Sequence, residues 1–481
     1  MSKELLKKHF KLIGLLFAAF LLVYYVPQPF NSILFLIFPI LFIKSKENYI
    51  WIAFLFVILE QPGGLFFGGT KEDALRLPLY NIAPGISLSF DQLLIFAGLY
   101  KAISIKEKFN PFFKKPLVYL LFYFFILIIL SMAAGMSFDG FKLVYKMIVN
   151  FTLFYSLFFL MRNEEEWKKF FAVLFPFTFY ALLLQIYSLI NGYQLVHLFK
   201  KEILSAQGVL GNTSSLEWDR PIELVHISFV CFFISIFYIL NKTSDFKKLF
   251  LIAVNTISFL TIFFTGTRAW IIALIFSYLL LLLSNPKKIG NVILRFGIII
   301  ILGFTLLTSF SIMENQLGQA FDRFKTLEFL AKGDITAGGT AQRFDIRAPA
   351  VINAFENSNE LFGAGFSDYY FYHADGHVGY QNFLFNAGII GSILLLFFLT
   401  KYISNLIKIN NQIQVSNQYK NSINIFVIAI IAILILHSST QFLGYDVIPN
   451  RILTLTIFLY FSLRILKKAI ENNSILARTQ N

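Results

Sequence analysis

The chain has 481 residues, of which 57% are hydrophobic and only 14% charged, with 60 Phe and 22 Tyr. A soluble globular domain carries about 25% charged residues, so this composition excludes an ordinary soluble fold and predicts an all-α polytopic membrane protein. The formal net charge of +14 does not imply nucleic acid, because the basic residues sit in short clusters between apolar runs, such as Lys44 with Lys46, Lys114 with Lys115 and Lys287 with Lys288. Such clusters mark cytoplasmic loops rather than one basic face.

In chain order, a basic start runs into an apolar stretch from Leu12 to Val26. It resembles a signal peptide but lacks the small-residue cleavage pattern, and Pro27-Gln28-Pro29 follows, so it reads as an uncleaved first span. Apolar runs predict candidate spans at 12–26, 31–43, 49–59, 88–103, 116–134, 143–161, 169–191, 222–240, 249–265, 269–284, 293–312, 379–400, 422–439 and 450–466. That is about 12 to 14 crossings, with 31–43 and 49–59 short for the hydrocarbon core. The expected organisation is a transmembrane bundle over 1–312, a large periplasmic loop over 313–378 containing short helices and the catalytic residues, and C-terminal spans with a cytoplasmic tail over 379–481. Cys231 is the single cysteine and lies in an apolar run, so no intrachain disulfide reveals the redox compartment. No internal repeat is visible, and the Asn- and Gln-rich stretch 410–421 reads as a solvated inner loop.

With the N-terminus inside, the basic clusters fall on the inner loops. The outer side then receives 60–87, 135–142, 192–221, the turn at 266–268, 313–378 and 440–449. The loop 313–378 holds nine Asp and Glu against five Lys and Arg, a formal balance of −4. This topology places His197, His226, His373, His377 and His437 on or near the outer face and only His9 inside.

Four stretches carry chemistry. Thr265-Gly266-Thr267-Arg268-Ala269-Trp270 forms a tight outer turn, where Arg268 is either a planar fork for a phosphate or an interfacial anchor beside Trp270. In the large loop, Gln342-Arg343-Phe344-Asp345-Ile346-Arg347 opens a helix-like pattern that Pro349 should kink or split. If its first turns are α-helical, Arg343 and Arg347 share a face and suit a diphosphate clamp; the alternative is an exposed helix with surface arginines. His373, Asp375 and His377 form the third group. Ala-Asp-Gly breaks any helix between the histidines and no Glu-containing metalloprotease pattern accompanies them, so a general base oriented by a carboxylate is favoured over a zinc pair, beside a purely structural loop role. Fourth, Arg220, Glu223 and His226 step by three at a helix entry, as a further polar wall of a site or as an Arg–Glu cap. No Gly-rich phosphate loop, Cys/His ligand set or nucleophile elbow occurs, so neither metal nor cofactor is expected.

Together these stretches resemble the bacterial O-antigen ligase and O-antigen polymerase superfamily. Thr267-Arg268 is similar to its Ser/Thr-Arg span end, Arg343 with Ala354–Phe355 and Gly363-Ala364-Gly365 to its next two elements, and His377-Val378-Gly379-Tyr380 with Asn386-Ala387-Gly388-Ile389-Ile390-Gly391 to its His-led run into Gly-x-x-Gly. Val378, Gln381 and Asn386 depart from the usual Asn, Leu and acidic residue. The resemblance covers roughly 220–400 and ranks His377 above His373.

It implies a glycosyltransferase of the bacterial inner membrane, working at the periplasmic face in lipopolysaccharide or other surface-polysaccharide biosynthesis. The donor would be an undecaprenyl-diphosphate-linked oligosaccharide and the acceptor a growing glycan (polymerase) or a lipid A-core (ligase). His377 would be the catalytic base, Arg268, Arg343 and Arg347 would bind the diphosphate, and Arg220, Glu223, His226, His373, Asp375 and Tyr380 would line the site. Membrane lipid and a chain-length regulator or flippase are candidate partners. A transporter or flippase of the same lipid-linked sugars is the alternative of another class.

Overall fold

Away from water, an apolar run satisfies its backbone N–H and C=O groups internally, and in this chain it does so as helix. A computed structural model describes residues 3–27, 29–60, 79–83, 86–191, 224–241, 246–265, 267–284, 286, 290, 342–412, 423–444 and 447–479. Helices α1 (Lys3–Tyr24), α2 (Phe30–Phe35), α3 (Ile37–Lys44) and α4 (Asn48–Leu59) precede a two-stranded antiparallel hairpin of β1 (Leu79–Ala83) and β2 (Ile86–Ser89). Then come α5 (Phe90–Ile103), α6 (Lys114–Ala133), α7 (Phe138–Leu160), α8 (Glu164–Asn191), α9 (Val225–Leu240), α10 (Lys248–Phe264) and α11 (Arg268–Ser284). A π-helical turn (Gln342–Arg347) leads into α12 (Ala348–Glu356), α13 (Asp368–His373), α14 (Gly379–Gln412), α15 (Asn424–His437) and α16 (Pro449–Thr479).

Every predicted span falls on these helices except 293–312, which lies outside the described residues. Among the described residues, three helical segments are long and apolar enough to cross a membrane: α6, α7 and the stretch Gly379–Asn411 of α14. Six further apolar stretches are shorter, at 10–17 residues, while α1, α8 and α16 are longer than 20 residues but are not among the three. The 12 residues of α4 rise only about 18 Å, against a hydrocarbon core of about 30 Å. The hairpin occupies the end of the predicted outer loop 60–87 and the first two residues of the predicted span 88–103, an element that periodicity had not revealed.

The chain divides into two compact units. The first comprises 1–105, 155–267 and 285–323. In it α4 is buried from Tyr49 through Ile58, and α9 is buried along its length except at Ile239, as expected of helices apolar on every side. Phe20, Phe35, Phe38, Phe54 and Phe90 cluster with ring centroids 4.9 to 6.2 Å apart. Buried polar side chains bond between these apolar helices. Asn255 Nδ2 donates to Phe232 O and Ser235 Oγ, both at 3.1 Å, and Gln185 Nε2 to Thr261 O at 2.8 Å.

The second unit comprises 106–154, 268–284 and 324–481. Its core joins Leu120, Phe124 and Leu127 of α6, Val144 and Met147 of α7, Val351 and Phe355 of α12, and Tyr370 and Phe385. The short helices of the large loop are therefore packed against α6, α7 and α14.

Several contacts join segments remote in sequence. Within the first unit, Tyr80 of the predicted outer loop 60–87 donates to Ser32 O at 2.6 Å, Glu60 of the same loop meets His226, and Asn48 donates to Leu160 O at 3.1 Å. Within the second, Tyr372 and Asp368 reach Asp139 and Ser137 at the predicted outer segment 135–142, while Arg464 meets Glu107 at 3.5 Å between predicted inner segments.

Candidate functional site

The site candidates of the second unit are organised by a break in α14. Gly388 has φ +63° in the middle of that helix, and Gly363 has φ +73° in the loop beside it. Around them the loop pairs with the broken helix. Ala364 N–H donates to Phe385 O (2.7 Å), Gly365 N–H to Asn386 O (2.9 Å), Ile389 N–H to Glu360 O (3.0 Å) and Ile390 N–H to Leu361 O (3.2 Å). Backbone groups freed by the break are thus paired again, as buried main chain requires. Tyr123 of α6 donates to Ala387 O at 2.6 Å and Phe362 O at 3.2 Å, fastening the same junction.

The break positions the loop that carries the histidines. Ser367 caps α13 by accepting from Tyr370 N–H at 3.2 Å, and α13 ends at His373. His373 and His377 are both exposed, and no helix joins them, as Ala-Asp-Gly predicts. The His373 ring lies 4.4 Å from that of Tyr369, with Nδ1 2.9 Å from Tyr369 O. Asp375 or another carboxylate is expected to orient an imidazole; the Asp375 carboxylate meets a main-chain N–H and Arg347. Oδ1 accepts the main-chain N–H of His377 at 2.9 Å, and Oδ2 lies 3.7 Å from Arg347 Nε. A short side chain two residues before His377 caps the turn more readily than it reaches the ring.

Arg347 ends a π-helical turn rather than an α-helical one, and Pro349 stands in the first turn of α12 as the sequence suggested. In the π register hydrogen bonds run i→i+5, so the spacing of four between Arg343 and Arg347 does not carry the α-helical same-face argument. The Arg343 side chain lies outside the described residues. Arg268 is the first residue of α11 and is partly exposed; two residues on, Trp270 is buried edge-on against Phe442, with centroids 5.8 Å apart. Tyr380, in the first turn of α14, donates to Leu434 O at 2.8 Å and lies 4.7 Å from the ring of buried His437.

Residues missed in the sequence connect these parts. Asn382 donates to Tyr370 OH (2.9 Å) and accepts Asp375 N–H (3.1 Å), while Gln441 N–H donates to Gly376 O (2.9 Å). Arg451 Nη1 donates to Gln441 O at 2.7 Å, and its guanidinium stands 5.7 Å from the Phe442 ring centroid. The segment 441–451 therefore ties the histidine loop to α11 and α16. Only the position of Gln441 and Arg451 around a predicted outer loop could have signalled it. At the edge of the loop, Tyr372 donates to Asp139 Oδ2 at 2.9 Å, and this bond with the adjacent negative charge pushes the Tyr372 phenol above its ordinary range.

Of the fourth stretch, Arg220 and Glu223 lie outside the described residues, and His226 belongs to the first unit. Its carboxylate partner is Glu60. Glu60 Oε1 is 2.7 Å from His226 Nδ1, and Oε2 accepts the His226 N–H at 3.1 Å, both side chains being buried. Leu224, just before α9, has φ +56°, a conformation that bulky residues rarely adopt. Among the described residues no group of three or more His, Cys, Asp or Glu is placed to hold a metal ion.

The second unit thus holds an exposed histidine and a cationic side chain facing a carboxylate in the loop before the broken helix, and Arg268 opens α11 in the same unit. Such a collection can accept a proton and hold an anionic group. No family model matches the sequence, and no curated protein matches it either.

Proposed function

We propose that the protein is a membrane glycosyltransferase that uses a lipid-diphosphate-linked oligosaccharide and polymerises surface-polysaccharide repeat units. The observation that carries this reading is the pairing of the 360–365 loop with the break at Gly388, which fixes the exposed His377 and the Arg347–Asp375 pair at the mouth of a long apolar helix. A titratable cluster at such a lip suits a substrate whose anchor stays in lipid and whose polar head stands in water. The charge pattern of the loops supports placing this lip on the outer face.

In the proposed reaction an acceptor hydroxyl oxygen attacks the anomeric carbon of the donor. The bond from that carbon to the diphosphate oxygen breaks, and the hydroxyl proton passes to the His377 imidazole. General-base assistance of this kind is worth ~10² to 10⁴-fold. The leaving lipid diphosphate needs its charge held, which Arg268, Arg343 and Arg347 supply as donor forks.

Incubation of the purified protein with lipid-linked repeat units alone tests the reading. A ladder of products is expected. Inertness until a lipid A-core acceptor is added would reassign it as a ligase, and inertness with both acceptors would sink glycosyl transfer. A second reading, a carrier of lipid-linked sugars, has one observation in its favour: the buried Glu60–His226 pair of the first unit, since titratable groups inside apolar bundles commonly serve transport. Translocation by proteoliposomes, lost in Glu60→Gln, would support that alternative.

A further inference from the structure

At one end of the second unit the segment before α6 is fastened to both α14 and α16. Phe112 stacks on Tyr402 of α14 with centroids 5.6 Å apart. Phe113 lies edge-on to the same ring at 6.0 Å and stacks on Tyr460 of α16 at 6.2 Å. Tyr402 and Ser462 share a buried hydrogen bond of 2.9 Å, and Arg464 Nη1 reaches Glu107 Oε1 at 3.5 Å. These contacts gather six exposed lysines at one place: Lys106, Lys108, Lys114, Lys115, Lys401 and Lys467. Among the described residues none of the six enters an ion pair. Glu107 is the one carboxylate of 104–116, 398–412 and 460–468, and it faces Arg464.

Four of these lysines stand where an apolar run stops. Lys114 and Lys115 open α6, whose apolar run starts at Pro116, while Lys401 follows Phe397 to Thr400 and Lys467 follows Ile465 and Leu466. Both α6 and the stretch Gly379–Asn411 are long and apolar enough to cross a membrane, so ammonium groups at these positions reach headgroup depth. We propose that this end of the second unit binds the phosphate headgroups of acidic phospholipids. Like charges gathered on one surface repel each other, and a bound anion relieves that repulsion. A lysine is a compact charge on a flexible stem, which suits a mobile headgroup. One helix face favours lipid over a soluble phosphate. Lys115, Tyr119 and Phe122 step by four and three along α6, and both aromatic side chains are exposed. An acyl chain lying on Tyr119 and Phe122 thus brings its phosphate to Lys115. The site is independent of sugar transfer and involves none of the residues assigned to it above.

Lipid retention tests it. The purified full chain is equilibrated in detergent micelles holding equal amounts of phosphatidylglycerol and phosphatidylcholine, and the lipids it keeps are counted by native mass spectrometry. Phosphatidylglycerol should be retained about tenfold over phosphatidylcholine, well within what several lysines near an anionic surface supply. Lys114→Gln combined with Lys115→Gln should lower that preference about fivefold, and so should Lys401→Gln combined with Lys467→Gln. Lys114→Arg with Lys115→Arg keeps the charge and should keep most of the preference, which separates lost binding from lost folding. Lys44→Gln with Lys46→Gln removes the same charge from exposed lysines of the first unit and should change nothing. Displacement of the lipid by millimolar glycerol 3-phosphate would assign the lysines to a soluble phosphate and overturn the lipid site. Equal retention of both lipids by the wild type would overturn it too, as would an equal fall in the Lys44 and Lys46 control, since the lysines would then act only through net charge.

Discussion

Gly363 and Gly388 stand back to back across the break in α14. A Cβ on Gly388 would lie 2.4 Å from Leu361 O and 2.5 Å from Gly363 N, and a Cβ on Gly363 would lie 2.5 Å from Asn386 O and from Gly388 N. The obstructing atoms are all backbone, so no side chain can move aside to make room. Two glycine motifs 25 positions apart are thus two halves of one junction. Either Gly→Ala substitution should destabilise the protein by about 3 kcal/mol or more, combining left-handed strain with the clash. Thermal unfolding in detergent measures this, and a variant melting with the wild type would show that the junction relaxes freely.

The Glu60–His226 pair is buried, so removing one partner strands the other. Glu60→Ala should cost about 3–5 kcal/mol, far more than an exposed ion pair is worth. Lys142→Ala, which breaks the exposed pair with Asp139 at 2.6 Å, is the internal comparison and should cost less than about 1 kcal/mol. Equal melting temperatures for the two variants would contradict the burial of the first pair.

Arg347 and Asp375 are each about 30% exposed and 3.7 Å apart, so their mutual attraction contributes little to folding. Asp375→Asn should shift stability by less than about 1 kcal/mol. Arg347→Ala should raise the donor KM about tenfold or more if the guanidinium meets the diphosphate. The same loss is expected from Arg268→Ala and, because Lys lacks the planar fork, in large part from Arg268→Lys. Unaltered donor kinetics in both alanine variants would remove these arginines from donor binding.

His377→Ala should abolish transfer with folding and donor binding intact, because a general base acts mainly in the transition state. His373 contacts the Tyr369 ring and carbonyl, so His373→Ala should reduce activity modestly through α13. Transfer assays at matched expression decide between them. An active His377→Ala beside an inactive His373→Ala would exchange their roles, and two active variants would dismiss histidine from the chemistry.

Chelation offers a separate check on the arginine-based mechanism. Transfer should survive EDTA, since charge on the leaving diphosphate is assigned to arginines. Activity lost in EDTA and restored by one divalent ion would assign that charge to a metal instead.

The sequence by itself determined where the helices lie, because apolar run length and helix breakers are local properties that need no partner. It also marked the candidate segment, since a polar, glycine-punctuated stretch stands out in a chain only 14% charged. Which groups meet was decided only by the tertiary structure. Helices such as α4 and α9 are apolar on every side and show no preferred face, so nothing in their order reveals that Glu60 meets His226 across 166 positions, while Glu223 stands only three away. The same holds for Asp375, which takes Arg347 and a main-chain N–H in place of a ring, and for Arg451 on Phe442. Contacts of this kind depend on how helix ends are brought together by packing, and packing among uniformly apolar surfaces leaves little trace in the order of residues.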